Sequence, residues 1–158
     1  MQDKITPCFW FNGNAEEAVN FYTLVFSESR VVATSRYGES APLPAGTVMT
    51  ISFELQGRSF LAINGGPQFQ FSPAISMMVN CDTQAEIDRL WDELSQGGQT
   101  LQCGWLTDRF GVSWQIVPAI LPKLMKGDAE KSSRVMQALW GMEKLDIEAL
   151  QQAAVSQD

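Results

Sequence analysis

The sequence predicts an α+β fold of two tandem βαβββ modules forming a curved mixed sheet with outer helices, followed by C-terminal helices. Strand-like runs and amphipathic helical runs follow one another as strand, helix and three strands, and the second half of the chain opens the same way. The two halves also align in three ordered pieces. Placing Asn12 on Asn80 sets Cys8 on Ser76, Phe9 on Met77, Trp10 on Met78 and Phe11 on Val79. With two extra residues in the second turn, Ala15-Glu16 meets Ala85-Glu86, Phe21 meets Trp91 and Leu24 meets Leu94. Near the module ends, Glu54 to Phe60 lies on Asp108 to Trp114, an acid-x-x-Gly-x-Ser-aromatic pattern in both. One such unit cannot close a sheet alone, so two are expected to pair around a cleft.

Each element has a local reason. Ile5 to Asn12 is an aromatic-rich strand closed by the turn Asn12-Gly13-Asn14. Asn14 is the expected N-cap of the first helix, Glu16 and Glu17 suit its positive end, and Ala18, Phe21, Tyr22 and Val25 share a face. Arg30 to Tyr37 and Val48 to Leu55 read as strands separated by a Pro/Gly loop, and Gln56-Gly57 turns the chain into Arg58 to Ile63. Asn64-Gly65-Gly66-Pro67 breaks the pattern as a tight turn, and residues 68–73 read as a linker carrying two Phe. Ala74 to Asn80 is the next strand, and Asp82 or Thr83 caps a helix reaching about Ser95, with Gly97-Gly98 as its stop. Thr100 to Trp105 and Val112 to Val117 are the remaining strands, ended by Pro118. Short helices are expected around Ile120 to Met125, over Ser132 to Trp140 and over Asp146 to Ala154. The expected organisation is residues 1–66 and 67–118 as the two modules and 119–158 as a helical appendage, within one compact domain.

Composition narrows the function. The 158 residues are 45% hydrophobic, enough for a packed core. Eleven basic against eighteen acidic residues give a net charge of -7, which repels phosphate backbones and anionic membranes, so neither nucleic acid nor membrane is an expected partner. Neither a signal peptide nor a membrane-spanning run is read, and a cytoplasmic location is expected. Cys8, Cys81 and Cys103 are odd in number and widely spaced, which favours reduced thiols. The chain has no histidine, which removes Ser-His and Cys-His catalysis and the commonest transition-metal ligand.

The segments Ile5-Thr-Pro-Cys-Phe-Trp-Phe, Ala15-Glu-Glu-Ala18 with Phe21-Tyr22, Ala62-Ile-Asn-Gly-Gly-Pro67 and Cys103 to Pro118 together resemble the PhnB-like group of the glyoxalase, bleomycin-resistance and dioxygenase (vicinal oxygen chelate) superfamily. Members often carry the label 3-demethylubiquinone-9 3-methyltransferase. The resemblance covers roughly residues 4–118 and implies metal-ligand positions on the first and last strands of each module, here Cys8, Leu61, Ser76 and Gln115. The family's Asp-x-x-Gly-x-x-x-Glu reads Asp108-Arg-Phe-Gly111-Val-Ser-Trp-Gln115, with Gln in place of the ligating Glu. A thiol, a hydroxyl, an amide and a leucine do not make a tight divalent site, so no metal and no other cofactor is expected. A nucleotide-type methyl donor is normally held by a Gly-rich strand-to-helix turn, and the first such turn here has one glycine, so the residues give the methyltransferase label no support.

Strand alternation puts Trp10 on the face of Cys8 and Met78 on that of Ser76, turning Phe9, Phe11, Met77 and Val79 under the helices. With Gln115 implied by the resemblance, and Trp105 as a ring that stacks on a flat ligand or fills the core, the candidate ligand-binding set is Cys8, Trp10, Ser76, Met78, Trp105 and Gln115, a small-molecule pocket with few polar groups. No catalytic residue is assigned. Cys8 reads as an ordinary buried thiol and Cys81 and Cys103 as structural ones, Trp114 as core, and Glu54 and Asp108 as turn acids. Three functions remain open: binding or converting a small molecule without a tightly held metal; a lyase, isomerase or dioxygenase that recruits a divalent ion with a chelating substrate; and a non-catalytic structural or regulatory module. A homodimer is expected from the resemblance, from the linker at residues 64–73, and from the apolar excess of the C-terminal segment, with Leu121, Leu124, Met125, Met136, Leu139, Trp140 and Met142.

Overall fold

A computed structural model describes residues 3–155 and divides the chain into two compact units, Met1–Phe71 and Ser72–Asp158. In the first, β1 (Cys8–Phe11), α1 (Ala15–Val25), β2 (Arg30–Arg36), β3 (Val48–Leu55) and β4 (Arg58–Asn64) form a four-stranded sheet in the order β1-β4-β3-β2. β1 runs parallel to β4, and the other pairs are antiparallel. The hairpin between β3 and β4 turns on Gln56 and Gly57, both at positive φ, the backbone that matches the twist of the flanking strands. Alternation then sorts the faces. Phe9, Phe11, Ile51, Phe53, Phe60 and Ala62 are buried, as are Ala15, Ala18, Val19, Tyr22 and Val25 of α1. Phe53 and Phe60 stack across the hairpin at 5.5 Å between ring centroids, and Phe71 closes the cluster edge-on to Phe11 at 5.2 Å.

The cap of α1 differs from expectation. Asn14 makes no side-chain capping bond. Asn64, at the end of β4, accepts from Ala15 N at 3.0 Å through Oδ1 and donates to Val48 O at 3.0 Å through Nδ2. A buried amide 49 residues away thus satisfies the orphan N–H at the helix start and ties it to two strands.

The second unit repeats the plan with β5 (Ser76–Cys81), α2 (Gln84–Leu94), β6 (Gln99–Thr100), β7 (Trp105–Thr107) and β8 (Ser113–Pro118), in the order β5-β8-β7-β6. Thr83 is the cap of α2, accepting from Glu86 N at 3.1 Å, while the Glu86 carboxylate accepts from Asp82 N. The single strand expected over Thr100 to Trp105 is instead two strands broken by a left-handed turn at Cys103 (φ 63°) and Gly104 (φ 81°). Their N–H groups leave the sheet and donate to Met142 O and Glu143 O, each at 2.8 Å. A Cβ on Gly104 would lie 2.8 Å from Ile116 O and 3.0 Å from Leu145, so only glycine fits.

Those bonds show what the last segment does. α3 (Leu121–Leu124), α4 (Ala129–Trp140) and α5 (Ile147–Ala154) share a core with β8, made of Val117, Leu124, Val135, Leu145 and Leu150. Leu121, Met125, Leu139 and Met142 pack against that core, while Trp140 stays 61% exposed. Asp128 and Asp146 cap α4 and α5. Gln84 at the head of α2 donates to Leu145 O and accepts from Ile147 N, a two-bond bridge to the link between α4 and α5. The helices expected as an appendage are an integral layer of the second unit, and most of their apolar groups are used within it.

Candidate functional site

Because side chains alternate across a strand, one face of the sheet in each unit is turned to α1 or α2. The opposite face, called the open face, is free of that helix, and in the second unit the last helices cover part of it. On the first sheet the open face carries Cys8, Trp10, Leu61 and Ile63, with Cys8 registered on Leu61 and Trp10 on Ile63. Cys8 is exposed rather than buried, and partial desolvation of its sulfur raises its pKa above the usual thiol value. That disfavours the thiolate, the form that binds metals and attacks electrophiles. The Trp10 indole is held by its own unit: Nε1 donates to Gly66 O at 3.0 Å, Phe69 stands edge-on at 5.0 Å, and the ring lies on Gly65. A Cβ at Gly65 would come within 2.2 Å of that ring. The Asn64-Gly65-Gly66 motif is thus explained by a helix cap followed by a seat for Trp10.

The second sheet joins the other four predicted residues into one surface. Met78 is registered on Gln115 and Gln115 on Trp105, a single row across β5, β8 and β7. Gln115 Nε2 donates to Ser76 Oγ at 2.9 Å, which fixes the amide and leaves its carbonyl oxygen as acceptor. Ser113, level with Ser76 and on the same face by alternation, keeps a buried Oγ with no hydrogen-bond partner. Such an orphan is what a ligand group or a water would satisfy.

Beside this row lies a cavity of about 310 Å³. Met78 and Asn80 of β5, Trp105 of β7, and Gln115 and Val117 of β8 line it from the sheet, with Cys103 at the left-handed turn. Leu121, Pro122, Met125 and Leu139 line it from α3, α4 and the residue after α3. Sequence reasoning missed Asn80 and this helical wall, since no local pattern says where a later helix docks.

The buried acid of this unit serves structure. Asp108 Oδ1 accepts from Phe110 N and Val112 N, closing the turn, and Oδ2 accepts from Trp114 Nε1 at 2.8 Å. Trp114 fills the core, as the sequence implied. Cys81 is buried, and its pKa is pushed up to about 12 by burial, with Glu86 and Asp82 adding to the rise. The donor set at the four superfamily ligand positions does not suit a divalent metal: Leu61 offers no donor, Cys8 resists ionisation, and Ser76 and Gln115 offer only neutral oxygens. Among the described residues no cluster of three or more His, Cys, Asp or Glu is placed to hold an ion, and no helix is long and apolar enough to cross a membrane.

Duplicated βαβββ units, each with β1 parallel to β4 or β5 parallel to β8, define the glyoxalase-like class of the vicinal oxygen chelate superfamily. The profile of the 3-demethylubiquinone-9 3-methyltransferase family matches residues 3–117, and the chain belongs to that family. Among solved structures it is similar to a PhnB protein of Bacillus cereus bearing the same methyltransferase label, at 41% identity and TM-score 0.68 over 73% of this chain and 99% of that one. A protein of Pseudomonas aeruginosa matches at 26% identity and TM-score 0.63, covering 74% of this chain and 98% of its own. The fosfomycin resistance protein FosX of Mesorhizobium loti shares the fold at 14% identity and TM-score 0.54, covering 80% of this chain and 100% of its own. No curated protein matches the chain significantly.

Proposed function

We propose that this PhnB-like chain binds a small organic molecule on the open face of its second sheet, without a tightly bound metal. The observation that carries the reading is the row Met78, Gln115 and Trp105 at the edge of a cavity, with Gln115 oriented by Ser76. A fixed amide in a largely apolar recess, with an aromatic ring beside it, is the usual makeup of a small-molecule site. Gln115 stands where the family pattern has a ligating Glu, so the position is read as a hydrogen-bonding group in place of a metal ligand. The methyltransferase label is not carried to this chain as an activity, because the turn into α1 lacks the glycines that a nucleotide-type cofactor needs.

Two measurements test the reading. Elemental analysis of the purified protein is expected to find no stoichiometric zinc, nickel, manganese or iron. Thermal-shift screening of uncharged and charged metabolites is expected to find stabilising ligands whose effect is lost in Gln115→Ala. Stoichiometric metal that disappears in Gln115→Ala would overturn the metal-free clause, and a screen without any shift would overturn binding. We propose further that the chain forms a homodimer. Light scattering at micromolar concentration should exceed the 17.5 kDa of one chain, and a result at that mass would end the proposal.

A further inference from the structure

We propose that α3 and α4, which lie beyond the family match, make the second-unit site selective for uncharged, mainly apolar ligands, and this rests on the binding reading above. Three observations combine. First, the family match ends at residue 117, yet Pro118, Leu121, Pro122, Met125 and Leu139 all line the cavity. The relative from Bacillus cereus is used up, at 99% of its length, in covering 73% of this chain, so about a quarter of the chain has no counterpart there. The helical wall therefore lies outside the family match. Second, none of the lining residues carries a charge: the polar groups are the amides of Asn80 and Gln115, the Cys103 thiol and the Trp105 indole N–H. In this half-open recess an ionised ligand would lose part of its water and gain no counter-charge from the lining, and a net charge of -7 adds a repulsive field against anions. Third, the wall is anchored. Cys103 N and Gly104 N donate to Met142 O and Glu143 O, and Leu124, Val135, Leu145 and Leu150 form its core with Val117 of the sheet. A volume of about 310 Å³ is at the small end of ligand pockets, room for a body of about two or three rings.

The occupant is thus a neutral molecule with an apolar or aromatic body and one hydrogen-bonding group that meets Gln115. The test uses a matched pair of fluorophores on the full chain: neutral N-phenylnaphthylamine and its sulfonated analogue, anilinonaphthalene sulfonate. The neutral probe is expected to bind once per chain with enhanced emission, and the sulfonate at least about ten-fold more weakly, since an unpaired charge against an apolar wall is costly. Leu139→Trp and Met125→Trp, which fill the cavity from the helical side, should each weaken the neutral probe about ten-fold while circular dichroism remains that of the parent. Independently of any variant, the bound neutral probe should slow alkylation of Cys103 by a neutral maleimide and leave exposed Cys8 unchanged, as located by peptide mass spectrometry. Equal binding of both probes would overturn the charge selectivity. Neutral binding that ignores both Trp variants but falls in Gln115→Ala would overturn the role of the helices and leave the sheet site standing. Absence of neutral binding would overturn the inference even where the wider thermal-shift screen finds charged ligands, which would sustain the binding reading alone.

Discussion

The two units share one topology and differ in what covers the open face of the sheet. In the first, the position of Trp10 is closed from within: the indole lies on Gly65, bonds to Gly66 O and meets Phe69. In the second, the aligned residue is Met78, 55% exposed, and the space beside it is bounded by α3 and α4 with a cavity left between. Duplication thus supplies two equivalent surfaces, which differ in carrying Trp10 seated on Gly65 at the position where the other carries Met78. The helices after β8 then wall the second one on one side and leave a half-open recess. The same divergence appears at the aligned acids. Asp108 is 2% exposed and holds three N–H groups, whereas Glu54 sits on the surface pairing with Arg30 at 3.0 Å.

That contrast can be broken most sharply at the acids. Asp108→Ala leaves two backbone N–H groups and the Trp114 indole N–H unsatisfied and should cost about 4 kcal/mol in urea unfolding. Glu54→Ala, which removes an exposed ion pair, should cost under about 1 kcal/mol, and equal losses at the two sites would contradict the assignment. Next in size is Leu145→Ala. Leu145 is fully buried between the last helices and Gly104, and its truncation should remove about 3 kcal/mol and lower the protection of Cys103 and Gly104 amides in hydrogen exchange. Unchanged stability would return the helices to the status of an appendage.

In the first unit, Gly65→Ala should cost about 2 kcal/mol through collision with the Trp10 ring. The same change made on a Trp10→Leu background should be nearly neutral, and strict additivity in that double-mutant cycle would show that Trp10 is not seated on Gly65. The effect that is absent at neutral pH concerns Cys81. Its folded pKa of about 12 lies above the ordinary thiol value of 9.0, so the neutral thiol is favoured in the folded state and ionisation favours unfolding. Stability should therefore be intact below pH 9.0 and decline as pH rises toward about 12, and Cys81→Val should flatten that decline.

These features were unequally legible in the sequence. The repeat, the strand alternation and the helix periodicities are local, and alternation puts Met78 on the face of Ser76; Gln115 is reached through the family resemblance, and the strand register joins it to Met78 and Trp105. Long-range polar choices were not. Asn14 has the composition of a cap, yet Asn64 does the capping, because an amide fixed at a strand end can reach Ala15 N from 49 residues away. The run Thr100 to Trp105 looked like a strand because its side chains suit one, but Gly104 permits a left-handed turn that the segment at Met142 and Glu143 then satisfies. The cavity was invisible for the same reason: half its wall arrives from helices whose docking is set by a shared core, with no pattern nearby in sequence to announce it.

The most direct measurement of the difference between the units is a nuclear magnetic resonance titration of the assigned indole N–H signals with the neutral fluorophore. We expect the Trp105 indole and the Gln115 side-chain amide to shift with saturation, while the Trp10 indole, bonded to Gly66 O, stays in place. A shift of Trp10 with Trp105 and Gln115 unmoved would contradict the assignment of the ligand site to the second unit.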